Sequence, residues 1–265
     1  MATTQNEHEL MNSFDKLANW YDDVTNDFTH EIIHYIHIQN MAIEIPLPNN
    51  EIKLLDLGGG TGKYSLLFSK LGYSVTLVDI SMESLKIAEK KFSENKLDIK
   101  IINTSGEKLP LENDIFDIIV MTGGVINYSP NYKELLQECK RVLKKNGILY
   151  FDFMNSIGWC NEIPNANSRL EVIEAEEKLI QMGDWDYPAR LFNCNFLEEM
   201  VIENGFKIKS KYGLINITTS LPLDIRYSKN YEKDVLERFK KVELEVSRNK
   251  ECYGTSWSCI IIALK

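Results

Sequence analysis

The stretch Leu54-Leu55-Asp56-Leu57-Gly58-Gly59-Gly60-Thr61-Gly62-Lys63 constrains this chain more than any other. A short apolar run meets a cluster of glycines and then a helical pattern, so a strand must turn sharply and feed a helix. Without a Cβ, glycine lets such a turn bring backbone close to a ligand. The N–H groups at the helix start then stay available to a polar or anionic group. Two phosphate-binding patterns nearly fit this stretch and fail. In the Walker-type loop, Leu57 falls where a glycine is required and Tyr64 replaces the magnesium-binding Ser or Thr. In the dinucleotide fingerprint, Lys63 falls where the third glycine belongs.

What remains is an acidic residue followed by glycines at alternate positions: Asp56, Gly58, Gly60 and Gly62. Asp79 follows at the end of the apolar run Ser74-Val75-Thr76-Leu77-Val78. Together these residues resemble the first motifs of the class I methyltransferases that use S-adenosylmethionine (SAM). The resemblance implies that Asp56, Gly58, Gly60 and Gly62 form the cofactor loop, and that the Asp79 carboxylate accepts both ribose hydroxyls. On its residues alone, the loop is also compatible with an ordinary strand–turn–helix carrying a capping aspartate.

Three further segments carry the resemblance. Phe14, Leu17, Ala18 and Tyr21 fall at helical spacing in Phe14-Asp15-Lys16-Leu17-Ala18-Asn19-Trp20-Tyr21-Asp22-Asp23. This pattern is similar to the N-terminal segment of the ubiquinone/menaquinone-methylase-like branch, which implies a lid over the pocket with Tyr21 touching both cofactor and acceptor. Asp22 and Asp23 are expected to make that rim negative and favour a cationic acceptor. The second segment, Ser105-Gly106-Glu107-Lys108-Leu109-Pro110, sits where the family often has D-A-E-x-L-P. Ser105 replaces the aspartate, so adenine recognition is expected to rest on backbone amides at Ser105 and Gly106 and on packing by Ile80; Glu107 lies either at this site or in a polar turn. In the third, Thr122, Gly123 and Gly124 leave room for the methionine end, and Asn127 and Tyr128 are candidates to face the acceptor. The motifs of enzymes that methylate base amines or pyrimidine C5 are absent from this position.

Organisation follows from the alternation of patterns. Helices are expected from about 27 to 43, 61 to 71 and 81 onward, with Leu85, Ala88 and Phe92 as an apolar face, and again from 130 to 143. Strands are expected at 98–103, 116–121 and 147–153. Such alternation requires a mostly parallel sheet with helices on both faces. The expected fold is therefore α/β and doubly wound. It has seven strands, the last of them antiparallel, and a ligand at the carboxyl ends of the strands. Residues 1–50 are expected to form a helical lid, and 51–265 the main domain with cap insertions at about 155–190 and 220–248. In the first insertion, Ser168 to Met182 reads as an acidic helix, followed by Asp184, Trp185, Asp186 and Tyr187. In the second, Tyr231, Val235, Phe239 and Val242 read as a core-facing stripe.

His30, His34 and His37 share one face of the second helix. Such spacing can ligate a metal, but no carboxylate or cysteine joins them at ligand spacing; a polar face is the better reading, with His34 a candidate base. A net charge of −9 argues against a broad nucleic-acid surface. The five scattered cysteines suit a reducing compartment and supply no zinc framework. With no apolar leader or span, a cytoplasmic protein is expected, as a monomer or weak dimer acting on a small molecule or peptide. Because no base stands out beyond the histidines, N-methylation is favoured over O-methylation. A SAM-binding protein without turnover, or a nucleotide enzyme on a similar sheet, are the rival classes.

Overall fold

The computed structural model describes residues 2–181 and 187–265, with residues 2–5 described by backbone alone. Two helices open the chain, α1 (Ala2–Val24) and α2 (Phe28–Glu44). Asp27 starts α2 by accepting from the backbone N–H of His30, the usual way an aspartate satisfies an open helix start. The alternating part follows as β1 (Lys53–Leu57), α3 (Lys63–Leu71), β2 (Ser74–Asp79), α4 (Met82–Glu94), β3 (Lys100–Asn103) and β4 (Phe116–Met121). It continues with α5 (Val125–Tyr128), α6 (Tyr132–Val142), β5 (Leu143–Met154), α7 (Ser156–Trp159) and α8 (Ala166–Glu174). The chain closes with β6 (Glu177–Ile180), β7 (Ala189–Phe192), α9 (Cys194–Glu203), β8 (Lys207–Gly213), α10 (Leu223–Arg226), α11 (Lys233–Ser247) and β9 (Ser258–Leu264).

Seven strands form one sheet in the order β3-β2-β1-β4-β5-β9-β8. The strands from β3 to β5 run parallel, and β9 runs antiparallel to both β5 and β8. This is the expected fold. The strand order reverses between β1 and β4, where chains leaving the two strands turn opposite ways and open a crevice at their carboxyl ends.

Period-two alternation sorts the strand side chains into two cores. Leu55, Leu57, Ile119, Met121, Leu149, Phe151 and Phe153 face α6 and α9. Leu54, Leu77, Ile118, Val120, Ile148 and Tyr150 face α2, α3, α4 and α11. With both faces covered, the central strands read as continuous apolar runs. Ile32 and Ile36 of α2 are fully buried in the second core. Segment 1–50 therefore divides, with α2 belonging to the sheet's helix layer and α1 lying outside it.

Two expectations need correction. The acidic run after Ser168 is not one helix: α8 ends at Glu174 and the chain becomes β6, which pairs antiparallel with β7. Glu177 and Arg190 form an ion pair across this hairpin at 3.1 Å. Asp184, Trp185, Asp186 and the end of that run at Met182 lie outside the described residues. Of the expected stripe, Tyr231 and Phe239 pack edge-on against Phe28 in the second core, whereas Val235 and Val242 face solvent and the buried positions of α11 are Leu236, Glu243 and Ser247. A carboxylate therefore sits on the buried line. Glu243 accepts from the backbone N–H and hydroxyl of Thr218 and from the N–H of Asn216, bracing the turn before α10. No helix among the described residues is long and apolar enough to cross a membrane.

Candidate active site

The glycine turn between β1 and α3 forms the floor of a cavity of about 200 Å³ at the carboxyl ends of β1, β2 and β4. Gly60 has φ +54, and a Cβ built there meets nothing nearer than Asp79 Oδ2 at 4.0 Å. Its conformation suits glycine and the space above it is open. Gly62 starts α3 in the left-handed conformation and presses on Phe92, whose Cζ would lie 2.7 Å from an added Cβ. Gly62 is thus needed for docking of α3 on α4, and it does not line the cavity.

Asp79 ends β2 facing the cavity. Its Oδ2 accepts from the Gly60 N–H and its Oδ1 from the Ser81 N–H, both at 2.8 Å. Each oxygen keeps a lone pair for a second donor. Burial raises its pKa to about 6, against the lowering effect of those N–H donors. Asp56 plays a different part. Its carboxyl lies behind the loop, where Oδ2 accepts from Ser65 Oγ at 2.6 Å, and burial likewise raises its pKa to about 6. It holds the loop to α3 from below and takes no place on the cavity wall.

The next wall is Ile80, Ser105, Gly106 and Glu107. Glu107 accepts short hydrogen bonds from the hydroxyls of Ser105 and Ser129. Gly106 has no room for a side chain, because Leu135 Cδ1 would lie 2.6 Å from its Cβ. Thr122, Gly123 and Tyr128 complete this side. The Gly123–Gly124 turn is held by Asp152 of β5, which accepts from the Gly124 N–H at 2.8 Å and the Gly123 N–H at 3.2 Å. Asp152 also lies 3.2 Å from His37 Nε2, while His37 Nδ1 meets the Tyr150 hydroxyl at 2.9 Å.

The roof is α1. Asp15 accepts from Ser81 Oγ at 2.6 Å and from the Glu83 N–H at 3.1 Å, at the start of α4. Asp22 accepts from Thr61 Oγ1 at 2.6 Å and pairs with Lys91 at 2.5 Å; Asp23 pairs with Lys229 at 2.5 Å. This corrects the expected negative rim, since both aspartates are matched by lysines. So pinned, α1 points Leu10, Phe14 and Tyr21 inward. The Tyr21 hydroxyl lies over Gly123, 3.6 Å from where a Cβ would stand. Burial and the charges of Asp79, Asp152 and Asp22 raise its pKa to about 12.

All three histidines of α2 line the cavity, so their face is not a solvated one. His30 Nδ1 meets Asp27 at 2.8 Å, and His34 Nδ1 meets the Tyr64 hydroxyl at 3.1 Å. Burial, and next the charge of Lys63, lower the His34 pKa to about 4. Among the described residues no group of three or more histidine, cysteine or carboxylate side chains is placed to hold a metal ion.

The structure thus brings together Tyr21, His34, Gly58, Gly60, Asp79, Ile80, Ser105, Gly106, Glu107, Thr122 and Tyr128 around one cavity, and leaves Asp56 and Gly62 behind it. Sequence reasoning placed His37 on the shared histidine face without a role, and missed Asp152, Tyr64 and the hydroxyl of Thr61. Of these three, Asp152 carried a signal, as an acid between apolar neighbours in Tyr150-Phe151-Asp152-Phe153.

These walls suit SAM. Asp79 would offer two lone pairs to vicinal ribose hydroxyls, Ile80, Ser105 and Gly106 would line the adenine, and the open space over Gly60 and Gly123 would take an amino-acid chain. Comparisons agree. Residues 55–151 match the methyltransferase domain family. An uncharacterised protein of Methanocaldococcus jannaschii is 37% identical over 198 residues, 74% of this chain and 82% of that protein. The ubiquinone/menaquinone biosynthesis C-methyltransferase UbiE of Pectobacterium carotovorum is 31% identical over 59% of this chain and 64% of its own length. The SAM-dependent methyltransferase structure from Mesorhizobium loti superposes with a TM-score of 0.62 at 16% identity, covering 87% of this chain and 98% of that one. Strand order, matched domain family and methyltransferase relatives converge, and the chain belongs to the class I SAM-dependent methyltransferases.

Proposed function

We propose that this enzyme methylates a small-molecule or peptide acceptor, an amine in preference to a hydroxyl. SAM supplies the methyl group as a substituent of a sulfonium, so little covalent chemistry is left to the protein. The side chains have to position, orient and exclude water. Asp79, Gly58, Gly60 and the Gly123–Gly124 turn would hold the cofactor, and Asp152 keeps that turn fixed. With α1 pinned at both Asp15 and Asp22, the acceptor is enclosed between α1, α2 and Tyr64.

The observation that carries the amine reading is the protonation state of that enclosure. Tyr21 is held near 12 and burial also pushes Tyr128 upward, so both hydroxyls stay protonated and donate. His34, held near 4, stays neutral but is a poor base at neutral pH. A neutral amine needs only a lone pair aligned with the methyl, whereas a hydroxyl must lose its proton. A hydroxyl acceptor is the second reading, favoured by the presence of three histidines on the wall. With a net charge of −9, nucleic acid is not the proposed acceptor.

Matched acceptors test this. Purified enzyme with SAM is offered amine and hydroxyl members of the same carbon skeletons, and products are read by a one-methyl mass gain. The expected result is methylation of amines. Methylation of hydroxyls alone, lost in His34→Ala, would overturn the amine reading in favour of a histidine base.

A further inference from the structure

Two consecutive residues in the turn after β4, Gly123 and Gly124, hold the left-handed conformation, with φ +82 and +70. Glycine has no strong preference for that shape over others, so the groups that bind the turn's N–H donors decide how well it is kept. Asp152 accepts from both, Oδ1 from Gly124 and Oδ2 from Gly123. A carboxylate can swivel about its own side-chain bonds, and a further contact on Oδ2 removes that freedom. It comes from His37 Nε2 at 3.2 Å, while His37 Nδ1 meets the Tyr150 hydroxyl at 2.9 Å.

These partners assign the tautomer. Burial pushes the Tyr150 hydroxyl well above its ordinary pKa, so it keeps its proton and donates to Nδ1. Nε2 then carries the ring hydrogen and donates to Asp152, whose oxygens are acceptors toward the turn as well. The imidazole has no room to turn away. His37 is 1% exposed, and its neighbour Ile36 locks α2 into the second core. A fixed line of contacts thus runs from α2 through Asp152 to the cavity wall at Gly123.

We propose that His37 is a positioning residue for methyl transfer: through Asp152 it sets the Gly123–Gly124 turn against which the methionine end of the cofactor lies. The proposal rests on the reading of this cavity as the methyl-transfer site and adds the group that fixes its β4 wall. The consequence is selective. Under that reading adenosine is held by Asp79 and by the wall of Ile80, Ser105 and Gly106, whereas the amino-acid chain meets the turn. Loss of the His37–Asp152 contact therefore weakens ligands that carry the amino-acid chain and spares those that lack it. A histidine that merely filled space would affect both alike.

Calorimetry on the full chain separates the two roles. S-adenosylhomocysteine and methylthioadenosine share adenine, ribose and sulfur, and differ in the amino-acid chain. Each is titrated into wild type, His37→Asn and His37→Gln. Both variants stay polar. The shorter amide reaches the place of Nδ1 and can keep Tyr150, while the longer one reaches the place of Nε2 and can keep Asp152. His37→Asn should weaken S-adenosylhomocysteine about tenfold, as for one hydrogen bond to a charged acceptor, and change methylthioadenosine less than about twofold. His37→Gln should keep S-adenosylhomocysteine within about threefold of wild type. Equal effects of His37→Asn on the two nucleosides, or a loss in His37→Gln as large as in His37→Asn, overturn the proposal. Unfolding of both variants in circular dichroism overturns it too, by making His37 a support of the fold alone. Failure of wild type to bind either nucleoside overturns the cavity reading itself, and the proposal falls with it.

Discussion

Replacing Asp79 by asparagine separates two consequences of placing a carboxylate under a ligand. In the ligand-free protein the group is buried and its pKa stands near 6, against about 3.9 in an unfolded chain. The folded state therefore holds the proton more tightly than the unfolded state. The stability linked to this group is fully present below the unfolded pKa and is lost as pH rises through the folded pKa. The loss is on the order of a few kcal/mol over the full range, and roughly 1 kcal/mol of it falls between pH 5 and pH 8. Asparagine does not titrate, so the variant lacks this slope. It also leaves the Gly60 or Ser81 N–H without its acceptor, a pH-independent cost of about 1–3 kcal/mol. Denaturant unfolding of both proteins at pH 5 and pH 8 cancels the second effect. The stability difference should shift by roughly 1 kcal/mol in favour of Asp79→Asn at the higher pH. Binding should move the other way, with S-adenosylhomocysteine weakened at least about tenfold in the variant, because two charge-assisted hydrogen bonds to hydroxyls are lost. Parallel stability profiles would refute the raised pKa, and unchanged affinity would refute the ribose assignment.

Tyr21→Phe should lower turnover while unfolding stability stays within about 1 kcal/mol, since one hydroxyl over Gly123 is removed and the ring still packs; wild-type turnover would remove the hydroxyl from the mechanism. Gly60→Val should abolish S-adenosylhomocysteine binding in calorimetry, because a branched side chain would fill the open space and strain a backbone at φ +54 by about 1–2 kcal/mol. Asp152→Ala leaves the Gly123 and Gly124 N–H groups and His37 without their acceptor, and should cost at least about 3 kcal/mol in denaturant unfolding; a loss under about 1 kcal/mol would show that water replaces it.

What the sequence disclosed was local, and what it hid was distant. The glycine loop and Asp79 could be read because a tight turn and a strand end each depend on a few adjacent residues. Capping by Ser81 and the apolar face Leu85, Ala88 and Phe92 were legible for the same reason. The role of Asp152 was hidden, because it exists only once α2 brings His37 across from a position 115 residues away. The pairing of Asp22 with Lys91 spans 69 residues, and without it the rim reads as negative. Strand β6 was misread as helix because Glu177, Lys178, Leu179 and Ile180 continue the acidic helical pattern before them equally well, and pairing with β7 decides between the two. Glu243 misled the stripe in α11 because a buried carboxylate bracing a turn has no signature in hydrophobic periodicity.

The central claim is that this cavity binds a SAM-type nucleoside through Asp79 and the glycine loop. Calorimetric titration of the wild-type protein with S-adenosylhomocysteine and, separately, with NAD tests it most directly. The account predicts one-site, saturable binding of S-adenosylhomocysteine, lost in Gly60→Val, and no heat from NAD; saturable binding of NAD with none of S-adenosylhomocysteine would contradict it.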